Sequence, residues 1–177
     1  SVANKFPSKD TYGLRTCIEG IKKLNVPILT TNFDTYISDS VSATQYKMKP
    51  IDNLYKFTDF YPWNMYYSDR EINNPLDGFA VWHINGTQEY PRSIRLGLSD
   101  YMGSVERARK MIQGDNLEDY FTGKNQSYWK GYNTWLHIIF NKSLFIFGLG
   151  LEENEVFLRW LLIQRTKYCK MHNKSHK

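Results

Sequence analysis

The chain has 177 residues, 41% of them hydrophobic and 16% aromatic, which is enough apolar surface for one folded domain and argues against general disorder. Its formal net charge is +5, but much of the excess lies near the C-terminus, where residues 168–177 are expected to form a solvated basic tail, so neither a nucleic acid nor a membrane is expected as a partner. Only Cys17 and Cys169 are present, which excludes a zinc ribbon or a disulfide framework and indicates a cytoplasmic protein.

The first predicted element is an amphipathic helix capped by Asp10. Its apolar positions follow helical spacing and comprise Leu14, Cys17, Ile18, Ile21 and Leu24. The sequence "NVP" ends this helix, and "ILTT" at 28–31 then predicts a short buried strand.

The middle of the chain lacks a sustained period, so residues 38–77 are predicted to be an irregular insertion or cap. "GFAVWHINGT" at 78–87 predicts a strand followed by a turn, and a further strand is predicted at 93–98. Ser99 is predicted to cap the next helix. The residues predicted to face inward from that helix are Met102, Val105, Ala108 and Ile112.

The C-terminal part is predicted to contain a helical or mixed segment at 129–140, a buried strand at 143–150 and a helix at 152–167. Val156, Phe157, Trp160 and Leu161 are expected on one face of the last helix. Asn141 and Lys142 interrupt the apolar run at 135–151, so it is too short to span a membrane.

Strands that alternate with helices predict a single α/β domain over 1–177, with a doubly wound, mostly parallel sheet covered by helices on both faces. Such sheets bind ligands beyond the carboxyl ends of their strands. Polar or glycine residues follow three predicted strands, and they are Asn32 and Asp34, His83 and Asn85, and Gly148 and Gly150. We therefore expect a ligand site at that edge.

Four segments, taken in order, resemble the SIR2-like family in its bacterial form. They are "TTNFD" at 30–34, "WHINGT" at 82–87, "YPRSIRLGLSDY" and "FIFGLGLEENEVFLRWLL", and the resemblance spans roughly residues 14–165. It implies a Rossmann-like domain that binds NAD. Sirtuins use NAD to remove acyl groups from lysine, whereas many bacterial SIR2-like domains hydrolyse NAD to nicotinamide and ADP-ribose, often in anti-phage defence. Since the sirtuin zinc ligands are missing, the resemblance favours the hydrolase.

The resemblance also implies roles for individual residues. Thr30, Thr31, Asn85 and Gly86 would contact the cofactor. Asn32 would position the ribose or the attacking water, and Asp34 would lie near the nicotinamide carboxamide. The alternative is that Asn32 and Asp34 cap a helix that begins near Thr35.

His83 is the candidate general base. The family places its catalytic His directly before Gly86, where this chain has Asn85. Asn85 cannot accept a proton at neutral pH, so an NAD- or ADP-ribose-binding module without turnover stays open as the second function.

Gly148, Leu149 and Gly150 resemble the glycine turn of the family that contacts the adenosine ribose, or else form an ordinary tight turn. The N-terminal Gly-Ala-Gly phosphate loop of the family is not found after Ser1, so we expect a fragment whose nucleotide-binding fold is incomplete at the N-terminus. A homo-oligomer is possible.

Overall fold

The structure is a computed structural model that describes residues 11–49, 57, 61–95, 98–114, 123–149 and 155–172. In these ranges it contains five α-helices, which are α1 (Thr11–Lys23), α2 (Tyr36–Ser40), α3 (Leu98–Gln113), α4 (Trp135–Asn141) and α5 (Val156–Met171). Four strands accompany them, namely β1 (Ile28–Thr30), β2 (Thr44–Lys47), β3 (Met65–Ser68) and β4 (Val81–His83). A short 3-10 helix covers Pro91–Ser93. The chain is therefore α/β, as predicted.

The four strands form one mixed sheet in the order β1-β4-β3-β2. β1 pairs in parallel with β4, whereas β3 is antiparallel to both β4 and β2. The predicted mostly parallel, doubly wound sheet is therefore not present in the described ranges. β3 lies antiparallel to β4 on the side away from β1, and β2 pairs antiparallel with β3.

The prediction of an irregular insertion at 38–77 was wrong, because β2 and β3 both lie within it. All four residues of β3 are buried, so the strand carries no alternation of apolar and polar residues that a sequence pattern could show. The sequence around β3 mixes aromatic residues with Asn and Pro, so it shows no clear strand boundaries.

Helices cover both faces of the sheet. On one face, Trp82 of β4 and Tyr66 of β3 belong to the main core, which also contains residues of α3, α4 and α5. On the other face, Val81 and Tyr67 pack in a smaller cluster with Ile18 of α1. Neighbouring residues of β3 and β4 thus enter different cores, as strand alternation requires.

The helices are close to their predicted positions, but the faces that they bury differ. Among the described side chains of α1 only Ile18 is fully buried, while Leu14 and Cys17 are exposed, as is Leu24 directly after the helix. The predicted cap Asp10 lies outside the described residues. In α3, Ala108 and Ile112 are buried as predicted.

Met102 of α3 was wrongly assigned to the core, since its side chain is 58% exposed. Tyr101, one position earlier, is buried in its place, and Met111 is buried next to Ile112. The buried face of α3 is thus rotated by about one residue from the predicted stripe. Ser99 lies inside the first turn of α3 and not before it.

Two predicted strands are absent from the described residues. At 93–95 the chain ends a 3-10 helix and continues irregularly, and 96–97 lie outside the described ranges. Residues 143–149 belong to no strand or helix and are largely exposed. The buried strand predicted at 143–150 is therefore not formed in its described part, 143–149.

At the C-terminus α5 continues to Met171, and Tyr168 and Cys169 are buried. The first part of the predicted solvated tail is therefore helix packed on the core, while 173–177 lie outside the described residues. In α5, Phe157 and Leu161 are buried as predicted, whereas Val156 is exposed. None of the helices in the described ranges has the length and apolar character needed to cross a membrane.

Candidate functional site

The parallel pair β1–β4 brings the two sequence motifs together. Thr30 lies opposite His83 in the register, and the backbone N–H of Ile84 donates to the carbonyl of Thr30 at 2.9 Å. Because the strands are parallel, the residues after Thr30 and after His83 emerge at the same edge of the sheet. The convergence that was predicted for these two motifs is present.

A hydrogen bond joins His83 directly to the loop after β1. Nδ1 of His83 lies 3.0 Å from the backbone carbonyl oxygen of Asn32. A carbonyl only accepts, so Nδ1 carries the proton and Nε2 of the neutral ring is the acceptor. The contact therefore uses the backbone of Asn32, and the Asn32 side chain is exposed.

The surroundings of His83 disfavour the charged ring. Its side chain is 2% exposed, and burial lowers the pKa of His83, against smaller opposing effects of its bond to Asn32 and of nearby carboxylates. Nε2 faces the hydroxyl of Ser38 at 3.4 Å, and Ser38 is itself buried. The ring nitrogen that could act as a base therefore faces a protein hydroxyl.

Asp34 has a local structural role. Its Oδ1 accepts a hydrogen bond of 3.0 Å from the backbone N–H of Tyr36, the first residue of α2. Asp34 thus contacts the first turn of α2, although the N-cap residue is Thr35 and its side chain makes no capping bond. Thr30 accepts at Oγ1 from the N–H of Asn32 at 3.1 Å. The carboxylate of Asp34 is still exposed, so one of its oxygens can contact a ligand. Thr31 is half-buried.

The loop after β4 is closely packed. Asn85 is buried, and its carbonyl accepts from the N–H of Arg95 at 3.1 Å. Gly86 has a φ of +98°, and a Cβ at this position would collide with the backbone of Ser93. Glycine is therefore required here by the path of the chain, whatever binds nearby.

The third predicted element does not join this edge in the described residues. Gly148 is exposed with a φ of +64°, and Leu149 packs against the main core, but neither belongs to the sheet. Gly150 lies outside the described residues. The structure thus joins the first two motifs and leaves the glycine turn apart from them.

Polar residues that the sequence reasoning missed lie beside His83. The Tyr67 ring contacts the imidazole edge-on with 5.3 Å between centroids, and its hydroxyl donates to Oε2 of Glu89 at 2.5 Å. Burial, followed by the contact with Glu89, raises the pKa of Tyr67. Glu89 follows Gly86 closely in the sequence. An acidic residue so near the candidate base His83 could have indicated from the sequence that Glu89 lies at this edge.

The exposed part of the edge carries an amide at Asn32 and a carboxylate at Asp34, which can bind hydroxyl groups. A cavity of about 390 Å³ lies elsewhere in the described residues and is lined by Glu19, Lys22, Lys23, Asn25, Asp69, Arg70 and Phe79. Within the described ranges, no cluster of three or more His, Cys, Asp or Glu side chains could hold a metal ion.

Comparison of this chain with protein-family models, with curated proteins and with solved structures found no match. The SIR2-like resemblance therefore depends on the quoted motifs and on the geometry of β1 and β4.

Proposed function

We propose that the carboxyl edge of β1 and β4 is part of an NAD- or ADP-ribose-binding site of SIR2-like type. One observation carries the proposal, the bond of 3.0 Å between Nδ1 of His83 and the carbonyl of Asn32. This bond connects two motifs that are 51 residues apart, at an edge where α/β sheets bind nucleotides. A Rossmann-like arrangement around this edge belongs to the same proposal, supported by the parallel β1–β4 pair.

Within this proposal, binding is better supported than hydrolysis of NAD to nicotinamide and ADP-ribose. Both ring nitrogens of His83 face protein groups, Asn32 and Ser38, and the ring is buried. A general base must reach the proton that it removes, by a direct hydrogen bond or through one water. Asn85 occupies the position of the family's catalytic His and is buried as well.

The test is calorimetric titration of the chain with ADP-ribose and with NAD, together with an assay for released nicotinamide. Binding of ADP-ribose without nicotinamide release is the expected result. Asn32→Ala should weaken binding by about tenfold, the value of one lost hydrogen bond to a ligand. Asn73→Ala is the matched control, because Asn73 is also exposed and lies outside the β1–β4 edge.

The outcomes separate the candidates. Nicotinamide release that is abolished in Asn32→Ala would establish hydrolysis and reject the binding-only function. Release of the acyl group from an acyl-lysine peptide would establish deacylation, which the absence of a Cys quartet disfavours. No binding of either nucleotide by a folded chain would refute the SIR2-like proposal.

A further inference from the structure

The edge that is proposed to bind NAD or ADP-ribose carries negative charge around His83. Burial lowers the pKa of the His83 ring, and three nearby carboxylates oppose this effect, those of Asp34, Glu89 and Asp39. NAD and ADP-ribose each contain a negatively charged pyrophosphate, which these carboxylates repel. A nucleotide at this edge therefore needs a positive group of the protein beside its phosphates.

The backbone of Arg95 lies against the loop that follows β4. Its N–H donates to the carbonyl of Asn85 at 3.1 Å. Two residues earlier, the backbone of Ser93 is so close to Gly86 that a Cβ on this glycine would collide with it. Residues 93–95 are therefore packed on the carboxyl end of β4, at the proposed nucleotide-binding edge.

Tyr61 holds the side chain of Arg95. The guanidinium lies over the Tyr61 ring, with 5.3 Å between Cζ and the ring centroid. The Tyr61 hydroxyl in turn donates to the carbonyl of Ile84, the first residue after β4. Burial raises the pKa of Tyr61, and the positive charge of Arg95 opposes this rise. The ring thus fixes the cation of Arg95 near the end of β4.

A guanidinium that is stacked in this way can still bind phosphate. Stacking uses the face of the planar group, whereas its N–H donors lie in the plane and point outward along its edges. Two of these donors can bind two phosphate oxygens in parallel. Arg95 is half-buried, so part of its side chain is accessible to solvent. Because Tyr61 already restricts this side chain, little conformational entropy is lost when a ligand binds.

From these observations we propose that Arg95 binds the pyrophosphate of ADP-ribose or NAD at the carboxyl edge of β1 and β4. This inference rests on the function proposed above, and it adds the group that recognises the charged part of the ligand. Asn32 and Asp34 contact hydroxyl groups of the ligand, whereas Arg95 offsets the charge of its phosphates.

The test is calorimetric titration of the intact chain and its variants with ADP-ribose. Arg95→Gln removes the charge and the paired donors, so it should weaken binding by about tenfold to hundredfold. Arg95→Lys keeps the charge but loses the planar group, and its affinity should lie between those of the parent chain and Arg95→Gln. Arg109→Gln is the matched control, because Arg109 is an exposed arginine in the C-terminal half of α3 that pairs with Glu106. It should leave the affinity unchanged.

The dependence of binding on salt separates a contact with the ligand from a structural role. Since salt screens charge pairs, NaCl should weaken ADP-ribose binding by the parent chain, and this dependence should be smaller in Arg95→Gln. Circular dichroism verifies that each variant is folded. If Arg95→Gln binds more weakly but depends on NaCl as the parent chain does, Arg95 only supports the fold of the edge and the proposal is wrong.

The same titrations distinguish failure of this inference from failure of the proposed function. If Asn32→Ala weakens ADP-ribose binding while Arg95→Gln and Arg95→Lys retain the parent affinity, Arg95 does not bind the ligand, and the proposed function stands. If the folded parent chain binds neither ADP-ribose nor NAD, the proposed function and the role of Arg95 are both refuted.

Discussion

His83 connects two loops through its ring, and this gives it a structural role that is separate from any chemistry. His83→Ala removes the donor to the carbonyl of Asn32 and leaves a gap beside Tyr67, so we expect the free energy of unfolding to fall by about 2–3 kcal/mol. His83→Asn can still place an N–H near that carbonyl and should recover part of the loss. Urea unfolding monitored by fluorescence measures both.

Asn32→Ala is the control for this prediction, because it removes an exposed side chain and keeps the carbonyl that accepts from His83. Its stability should stay within about 0.5 kcal/mol of the parent chain. If His83→Ala proved as stable as Asn32→Ala, the bond between the loops would contribute nothing to the fold.

Gly86 is fixed by backbone geometry. Gly86→Ala places a Cβ against the Ser93 backbone at a φ of +98°, and we expect a loss of about 2 kcal/mol or more in stability. Gly103→Ala offers the matched comparison, since Gly103 lies inside α3 with nothing near its missing Cβ, and it should stabilise the chain by about 0.5–1 kcal/mol. Thermal unfolding of the two variants should therefore shift in opposite directions, and equal shifts would contradict the assigned conformation of Gly86.

At the level of elements, α1 and α4 should differ in local stability. Residues 135–140 of α4 are all buried, whereas among the described side chains of α1 only Ile18 is fully buried. Local opening needs less energy where few apolar contacts are lost. Hydrogen exchange followed by mass spectrometry should show fast exchange in peptides from α1 and strong protection in peptides from α4. Equal protection of the two helices would refute this order.

The sequence predicted the helices α1, α3 and α5 near their places because one-sided burial preserves an apolar stripe. β1 and β4 were predicted because their short apolar runs are bounded by turn residues, although all three residues of β4 are buried. β3 is also buried on both faces, but it lies among aromatic, Asn and Pro residues without clear strand boundaries, and it was missed. Residues 143–149 misled in the opposite sense, because their composition is that of a buried strand and Phe145, Ile146 and Phe147 are exposed.

The sequence predicted those parts of the candidate site that the pairing of parallel strands brings together. The meeting of Asn32 with His83 followed from strand order, but the atoms involved did not, since a sequence cannot show that the backbone of Asn32 makes the contact. Ser38 and Tyr67 come from α2 and β3, and only the tertiary arrangement places them beside the imidazole.

For the whole molecule, buried histidines predict that acid weakens the fold. Burial lowers the pKa of His137 to about 4, and its Nδ1 accepts from Nε1 of Trp129 at 3.1 Å, a bond that requires the neutral ring. Burial lowers the pKa of His83 as well. The unfolded chain, with histidine pKa values near ~6.5, binds these protons more readily than the folded chain. The free energy of unfolding should therefore be highest above about pH 6.5 and should decrease as the pH falls toward 4.

Urea midpoints measured from pH 7.5 to 4.5 test this prediction. His137→Gln retains an acceptor for Trp129 and has no titrating group, so its midpoint should vary less with pH than that of the parent chain. The same pH profile in both proteins would show that His137 does not contribute to the acid sensitivity.

The pairing of β1 with β4 also has a consequence for synthesis on the ribosome. β1 leaves the exit tunnel before β2 and β3, but its only partner in the described sheet, β4, is made after them. Until His83 has emerged, the nascent chain presents Ile28–Thr30 without a neighbour, so a slow-translating ribosome would prolong the exposure of this segment to chaperones.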